Sequence, residues 1–339
     1  MNKLVFLFFI LIFPSYVFCA YDTVVLGDMP AEFEAYAEAE KVKGAKKKTA
    51  VLESYAQQFV AQANYLPAEN IYNFLISQNP SKKKTFFYNM KLGYICELQS
   101  SYAMSLDYYR KAEALYKKNI EVKFKIGDIL LKSNLYNLAE RTFLDALALD
   151  KSSNYARKRL GDIYFVQHLY SKALVYYDKI SSYYYTSEIV LNMSECYREV
   201  NKTDKAIQIA EDFLISNESP EVFFMSAVLY ADKKMYSEAR ERLLQSLKLD
   251  PSNFYAYLYL AKVCLALGNL DEADINLEKA YKINSSYSAV DLMRSHISYK
   301  RGRIYEARRH AHNALMKSKS AFTKIQSQKT LNFLNEKKK

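Results

Sequence analysis

Small residues recur along this 339-residue chain at a spacing that no single globular core imposes. From Ala239, Ala273 and Ala307 follow at successive steps of 34 residues. Ala206, Ala173, Ala139, Ser105 and Ala68 precede it at steps of 33, 33, 34, 34 and 37. A second small series lies twelve residues before each reference position: Ala56, Gly93, Gly127, Gly161, Ser194, Ala227, Ala261 and Ser295. So constant a period means an array, in which each unit is too small to bury its own apolar face and stacks on the next.

Larger residues keep the same beat. Three before the reference stand Tyr65, Tyr102, Tyr136, Tyr170, Tyr236, Leu270 and Ile304, with Thr203 the exception. Four after it stand Tyr72, Tyr109, Phe143, Tyr177, Leu243 and Leu277, with Ala210 and Ala311 departing. Small residues return seven after it, as Ala112, Ala146, Ser246, Ala280 and Ala314. Apolar residues three and four apart give each unit two amphipathic helices. The two helices approach closely where side chains are small, so Gly161 and Ala173 are expected to face each other, with Tyr164, Tyr170 and Tyr177 around the crossing. Asn79-Pro80 and Asp250-Pro251 end second helices, because proline lacks an N–H and biases its predecessor away from helix. Gly268 and Gly302 fall in turns between paired helices, and His168 in another. Only 7 Gly and 6 Pro in the chain are too few for a turn-rich β-protein, which leaves an all-α array.

These residues resemble the tetratricopeptide repeat, a 34-residue helix–turn–helix with the pattern W-x₂-L-G-x₂-Y, A-x₃-F and P. Leu160-Gly161-Asp162-Ile163-Tyr164 matches the L-G-x₂-Y core, Ala173 with Tyr177 matches A-x₃-F, and Leu92-Gly93 and Ile126-Gly127 match L-G. The tryptophan position holds Leu52, Val190, Phe223 and Tyr257, but also the polar Asn89, Lys123 and Arg157 and the acidic Asp291. Eight units are read at 49–82, 86–119, 120–153, 154–186, 187–219, 220–253, 254–287 and 288–321, with 83–85 a small insertion. The resemblance implies a right-handed all-α solenoid. Residues 30–42 read as a polar helix before a solvated KGAKKK connector. Residues 322–334 carry Phe322, Ile325, Leu331 and Leu334 and are expected to cap the last unit.

The N-terminus has the order of a secretory signal peptide over residues 1–19: Lys3, an apolar run from Leu4 to Phe13, a break at Pro14-Ser15, and small residues at Cys19-Ala20. An uncleaved anchor continuing to Tyr21 and lipid attachment at Cys19 are the alternatives. Export places the chain in the periplasm or outside the cell. Cys96, Cys196 and Cys264 are odd in number and widely spaced, which reads as buried thiols rather than a redox or metal site.

Catalytic patterns are missing: there is no GxSxG, P-loop, dinucleotide fingerprint or HExxH. His310 and His312, two apart on a helix, point to different faces. No cofactor or metal is implied, and the chain reads as a non-enzymatic scaffold for a protein or peptide ligand. The resemblance implies that first helices line the binding groove. The inward positions are Phe87, Tyr94, Phe124, Lys125, Tyr155, Arg159, Asn192, Glu195, Phe224, Tyr259 and Lys262. Aromatic residues and Arg are enriched in protein interfaces. The family's carboxylate clamp has no support, because Glu53 and Gln57 occupy its positions in the first unit.

Charge is divided unevenly. The net is +11, yet residues 288–339 hold 13 basic residues against Asp291, Glu306 and Glu336. Arg301, Arg303, Arg308 and Arg309 are therefore candidates for docking on anionic lipid or envelope polymer, an adaptor reading beside the scaffold. A third reading is a subunit of an envelope enzyme complex. Nucleic acid would fit the charge but not the export signal. The repeat register makes a test: Ala173→Leu should lower stability by about 1–3 kcal/mol in denaturant unfolding, and Lys233→Ala should change it little.

Overall fold

A computed structural model describes residues 31–336. The signal-peptide reading and Lys337 to Lys339 lie outside the described residues. These contain eighteen α-helices, a short 3-10 turn and no strand. The chain divides into two compact units. The first holds α1 (Glu32–Glu40) and three helix pairs. These are α2 (Ala45–Ala61) with α3 (Tyr65–Ser77), α4 (Lys82–Leu98) with α5 (Tyr102–Leu115), and α6 (Ile120–Lys132) with α7 (Tyr136–Leu149). The second unit holds five pairs. They are α8 (Asn154–Val166) with α9 (Tyr170–Tyr177), α10 (Ser187–Glu199) with α11 (Thr203–Leu214), and α12 (Pro220–Asp232) with α13 (Tyr236–Leu249). Then come α14 (Phe254–Leu267) with α15 (Leu270–Ile283) and α16 (Ser288–Lys300) with α17 (Ile304–Lys317), and last α18 (Ala321–Glu336).

Local chemistry starts and turns each pair. Six consecutive first helices begin on a side-chain cap: Ser81, Asn119, Ser153, Thr186, Ser219 and Asn253 each accept from the backbone N–H three residues on. Such caps are each worth about 1 kcal/mol. Every turn within a pair carries one left-handed residue, at Ala63, Ser100, Asn134, His168, Asn201, Lys234, Gly268 and Gly302. Only the last two are the glycines that the sequence marked. The other six hold L-residues in a conformation that disfavours them, so packing of the pair imposes the turn.

The crossing itself is a fit of volumes. A Cβ on Gly93 would lie 2.6 Å from the ring of Tyr109, one on Gly127 would lie 2.5 Å from Phe143, and one on Gly161 would strike Tyr177. Gly161 therefore faces the ring four residues after Ala173 rather than Ala173 alone. All three rings are fully buried. Where the ring position holds Leu243 or Leu277, the facing residue is Ala227 or Ala261; where it holds Ala210 or Ala311, it is Ser194 or Ser295. Ser295 donates to the Ala307 carbonyl at 2.7 Å, and Ser105 donates to Gly93 at 2.8 Å. Ala56 beside Tyr72 is the exception, and the buried Tyr72 hydroxyl has no hydrogen-bond partner among the described residues.

Polar residues at the tryptophan position bring their own partners. Lys123 pairs with Glu113 at 2.9 Å, Arg157 donates to the Lys179 carbonyl at 2.6 Å, and buried Asp291 accepts from Lys317 at 2.8 Å. Asn89 donates to the Thr85 carbonyl at 2.8 Å.

The structure corrects three expectations. KGAKKK is no connector: Gly44 turns the chain at φ 98° and α2 begins at Ala45. Residues 83–85 are no insertion between units, because the Ser81 cap starts α4 at Lys82 and lengthens it to 17 residues. The capping helix packs against α17 through Leu331 and Leu334, but Phe322 is 71% and Ile325 53% exposed.

The volume fit can be tested by exchange. Gly127→Ala should lower unfolding stability by about 1–3 kcal/mol. Adding Phe143→Leu, which recreates the Ala227–Leu243 pair, should recover part of that loss. The double-mutant cycle should show coupling of about 1 kcal/mol or more, and additive losses would contradict the fit.

Candidate functional site

Each first helix packs on its partner helix and on neighbouring pairs, and the rest of its surface turns outward. On α4 that surface presents Phe87 and Tyr94, and on α6 it presents Phe124 and Lys125. Phe87 and Phe124 are half-buried and Tyr94 is exposed. Lys91 lies over the Phe87 ring at 5.3 Å, and Lys125 reaches across from α6 to lie over Tyr94 at 5.7 Å. Beneath them Glu97 accepts from Lys132 at 2.6 Å and from the Tyr109 hydroxyl at 3.1 Å, with Lys125 at 3.6 Å. Burial alone would raise the Glu97 pKa, but the Lys132 hydrogen bond and the two lysine charges hold it below the ordinary carboxylate range. Glu53 accepts from Lys84 at 2.5 Å and from the Tyr88 hydroxyl at 2.7 Å, so this clamp position carries a carboxylate already engaged.

The second unit repeats the pattern. The Arg159 guanidinium lies 5.1 Å from the centre of the Tyr155 ring. Asp162 joins Lys158 at 2.8 Å, the Tyr177 hydroxyl at 2.8 Å and Arg159 at 3.6 Å. Asn192 donates to the Tyr177 hydroxyl at 3.2 Å, and Glu195 pairs with Arg198 at 2.9 Å, so both serve internal contacts. Phe224 on α12 and Tyr259 on α14 meet edge to face at 5.2 Å, with Lys262 over Tyr259 at 5.2 Å. These aromatic–cation couples stand on first helices, each attractive through the ring quadrupole. The sequence reading missed Lys91, Glu97 and Asp162. The 158/162 spacing on one helix face was the available signal for Asp162.

The basic candidates separate. Arg301 is engaged by Asp274 at 2.9 Å and Asp271 at 2.6 Å, and Arg308 donates to the Leu334 carbonyl at the end of α18. Arg303 lies 3.6 Å from Glu306 and is exposed, as is Arg309. The charge excess therefore overstates what these four arginines offer a ligand.

Cys96, Cys196 and Cys264 are buried and unpaired, and burial pushes their thiols up to about 11, 12 and 11 respectively. Such thiols are poor nucleophiles. His168 sits in its turn, 2.8 Å from the Tyr170 hydroxyl. Burial, then the Arg309 charge, lower the His310 pKa. No group of three or more His, Cys, Asp or Glu among the described residues is placed to hold a metal ion.

Two family models match. One, described as tetratricopeptide repeat, covers residues 124–181, and one described as anaphase-promoting complex, cyclosome, subunit 3 covers 199–280. No protein of curated function matches the sequence. Among solved structures, a tetratricopeptide repeat protein from Parabacteroides merdae is 14% identical at a TM-score of 0.53, covering 74% of this chain and 99% of that one. A chain of the APC/C hetero-tetramer Cut9-Hcn1 is 14% identical at 0.52, covering 89% and 58%. The pilF protein of Pseudomonas aeruginosa is 16% identical at 0.50, covering 60% and 94%. At such identities these likenesses concern the fold alone.

Glu97 makes the face sensitive to acid. Its folded pKa lies below its unfolded one, so its contacts stabilise the protein above the ordinary carboxylate range and are lost as pH falls through the lowered value. Glu97→Gln should lower stability by about 1 kcal/mol near neutral pH. The difference from wild type should shrink below about pH 4 in acid-titrated unfolding.

Proposed function

We propose that this chain, a tetratricopeptide-repeat protein, works as a non-enzymatic scaffold that binds a protein or peptide segment along its first-helix faces. One observation carries the reading: the aromatic–cation couple returns on α4, α8 and α14, with a further couple joining α4 to α6. A ring held beneath a cation is already ordered, so a ligand gains apolar contact with little added loss of side-chain freedom. Lys91 and Lys262 offer a partner to an acidic side chain, while Lys125 and Arg159 already stand 3.6 Å from Glu97 and Asp162. A peptide mixing apolar and acidic residues fits this surface better than a purely apolar one.

The export signal read in residues 1–19 supports a working place in the cell envelope, periplasmic or facing outward. Cell fractionation with N-terminal sequencing of the mature protein tests that part, and an intact Met1 in a cytosolic fraction would overturn it.

The binding reading is tested by affinity capture from native envelope extract, with mass spectrometry. Phe124→Ala with Tyr155→Ala should lose specific partners while helix content and melting stay near wild type. An unchanged set of partners would remove the first-helix face as the binding surface.

A further inference from the structure

The second unit carries another surface that the scaffold reading does not use. The repeat brings successive inter-unit turns, where one second helix ends and the next first helix starts, to one edge. Ring contacts join two of them directly: Phe254 meets Tyr287 at 5.0 Å and Tyr255 meets Tyr287 at 6.3 Å. The third turn is tied on through Lys317, which pairs with Asp291 at 2.8 Å and lies 5.5 Å over the Tyr281 ring.

This edge is apolar and basic together. Tyr255, Ile283 and Tyr287 are exposed in the first two turns. The third, MKSKSAFTKI at 316–325, exposes Met316 at 71%, Phe322 at 71% and Ile325 at 53%. Among the described residues no carboxylate pairs with the exposed Lys282, Lys319 or Lys324. The acids close by are engaged: Asp291 by Lys317, Glu278 by Arg294 at 2.5 Å, and Asp250 by the Ser252 hydroxyl at 2.7 Å. Phe322 and Ile325 are three apart and share a face of α18, turned away from the Leu331 and Leu334 contact with α17.

We infer that this edge docks on an anionic lipid surface. Interfaces between proteins are depleted in lysine, whereas a membrane interface takes aromatic side chains at headgroup level, apolar chains just below, and lysines toward anionic phosphates. The edge exposes all three classes of side chain. Phe322, Ile325, Lys319 and Lys324 are residues that the scaffold reading does not use, so this inference stands or falls apart from it.

The chain contains no tryptophan, so Phe322→Trp places a lone indole on the edge of the full-length protein. Vesicles of phosphatidylcholine with about 30% phosphatidylglycerol should shift its emission to the blue, while phosphatidylcholine alone should not. Brominated acyl chains should quench it. In co-sedimentation, Phe322→Ser with Ile325→Ser should weaken partitioning about tenfold, and Lys319→Glu with Lys324→Glu should abolish the preference for anionic vesicles. Raising salt from about 0.1 to 0.5 M should weaken the wild type in the same direction. Both double variants replace exposed residues, and unchanged thermal melting confirms that they fold. An indole that stays solvated while the protein sediments with vesicles would mean that another segment holds the membrane, and would overturn the assignment. So would variants that sediment like wild type, or a Phe322 variant that changes only the oligomeric mass.

Discussion

Everything in this molecule depends on how closely two helices of a pair cross. The distance is set where a residue of the first helix meets the residue sixteen positions later on the second. Gly meets Tyr or Phe and Ala meets Leu at nearly the same summed volume, whereas Ser with Ala fills less and Ala56 with Tyr72 fills more. Protein interiors are packed too densely to absorb an extra methyl group without strain, and a lost one leaves a void. The chain therefore varies the two positions together. The left-handed turn residue follows from the same constraint: once the crossing is fixed, only a short turn can join the helices, even where Ala63 or Lys234 must adopt it.

Polar contacts add a second repeat over the first. Glu53 with Lys84, Glu211 with Arg242, Arg240 with Glu272 and Asp271 with Arg301 each join residues about one period apart. The Glu211–Arg242 contact is two-pronged, at 2.9 and 2.6 Å, and partly buried, which places it above ordinary surface pairs. These bonds run between neighbouring pairs rather than within one, so they govern register along each unit. One of them holds Arg301, and Arg308 is held separately by the Leu334 carbonyl, so both act as structural groups.

Function follows from what the crossing leaves over. With the small and aromatic stripes consumed by packing, the outward side of the first helices is free for ligand contact and the turns are free at one edge. The first carries rings ordered by cations, and the second carries rings, aliphatic chains and the exposed Lys282, Lys319 and Lys324. The two surfaces differ in the chemistry they present.

The amino-acid sequence alone determined the helix pair, its period and the positions of the crossing, because these depend on residue size and on periodicity, which are written in order along the chain. It also placed Gly268, Gly302 and His168 in turns, and Tyr94, Tyr155 and Lys262 on exposed positions of first helices. Tertiary structure alone decided which charges are free. Nothing local distinguishes Arg309, which is exposed, from Arg308, whose guanidinium holds a carbonyl 26 residues away. Spacing sets Phe322 and Ile325 on the opposite face of one helix from Leu331 and Leu334, but it does not show which of the two pairs enters the core. Burial and ion pairing depend on which other helix arrives opposite a residue, and that is a property of the folded packing.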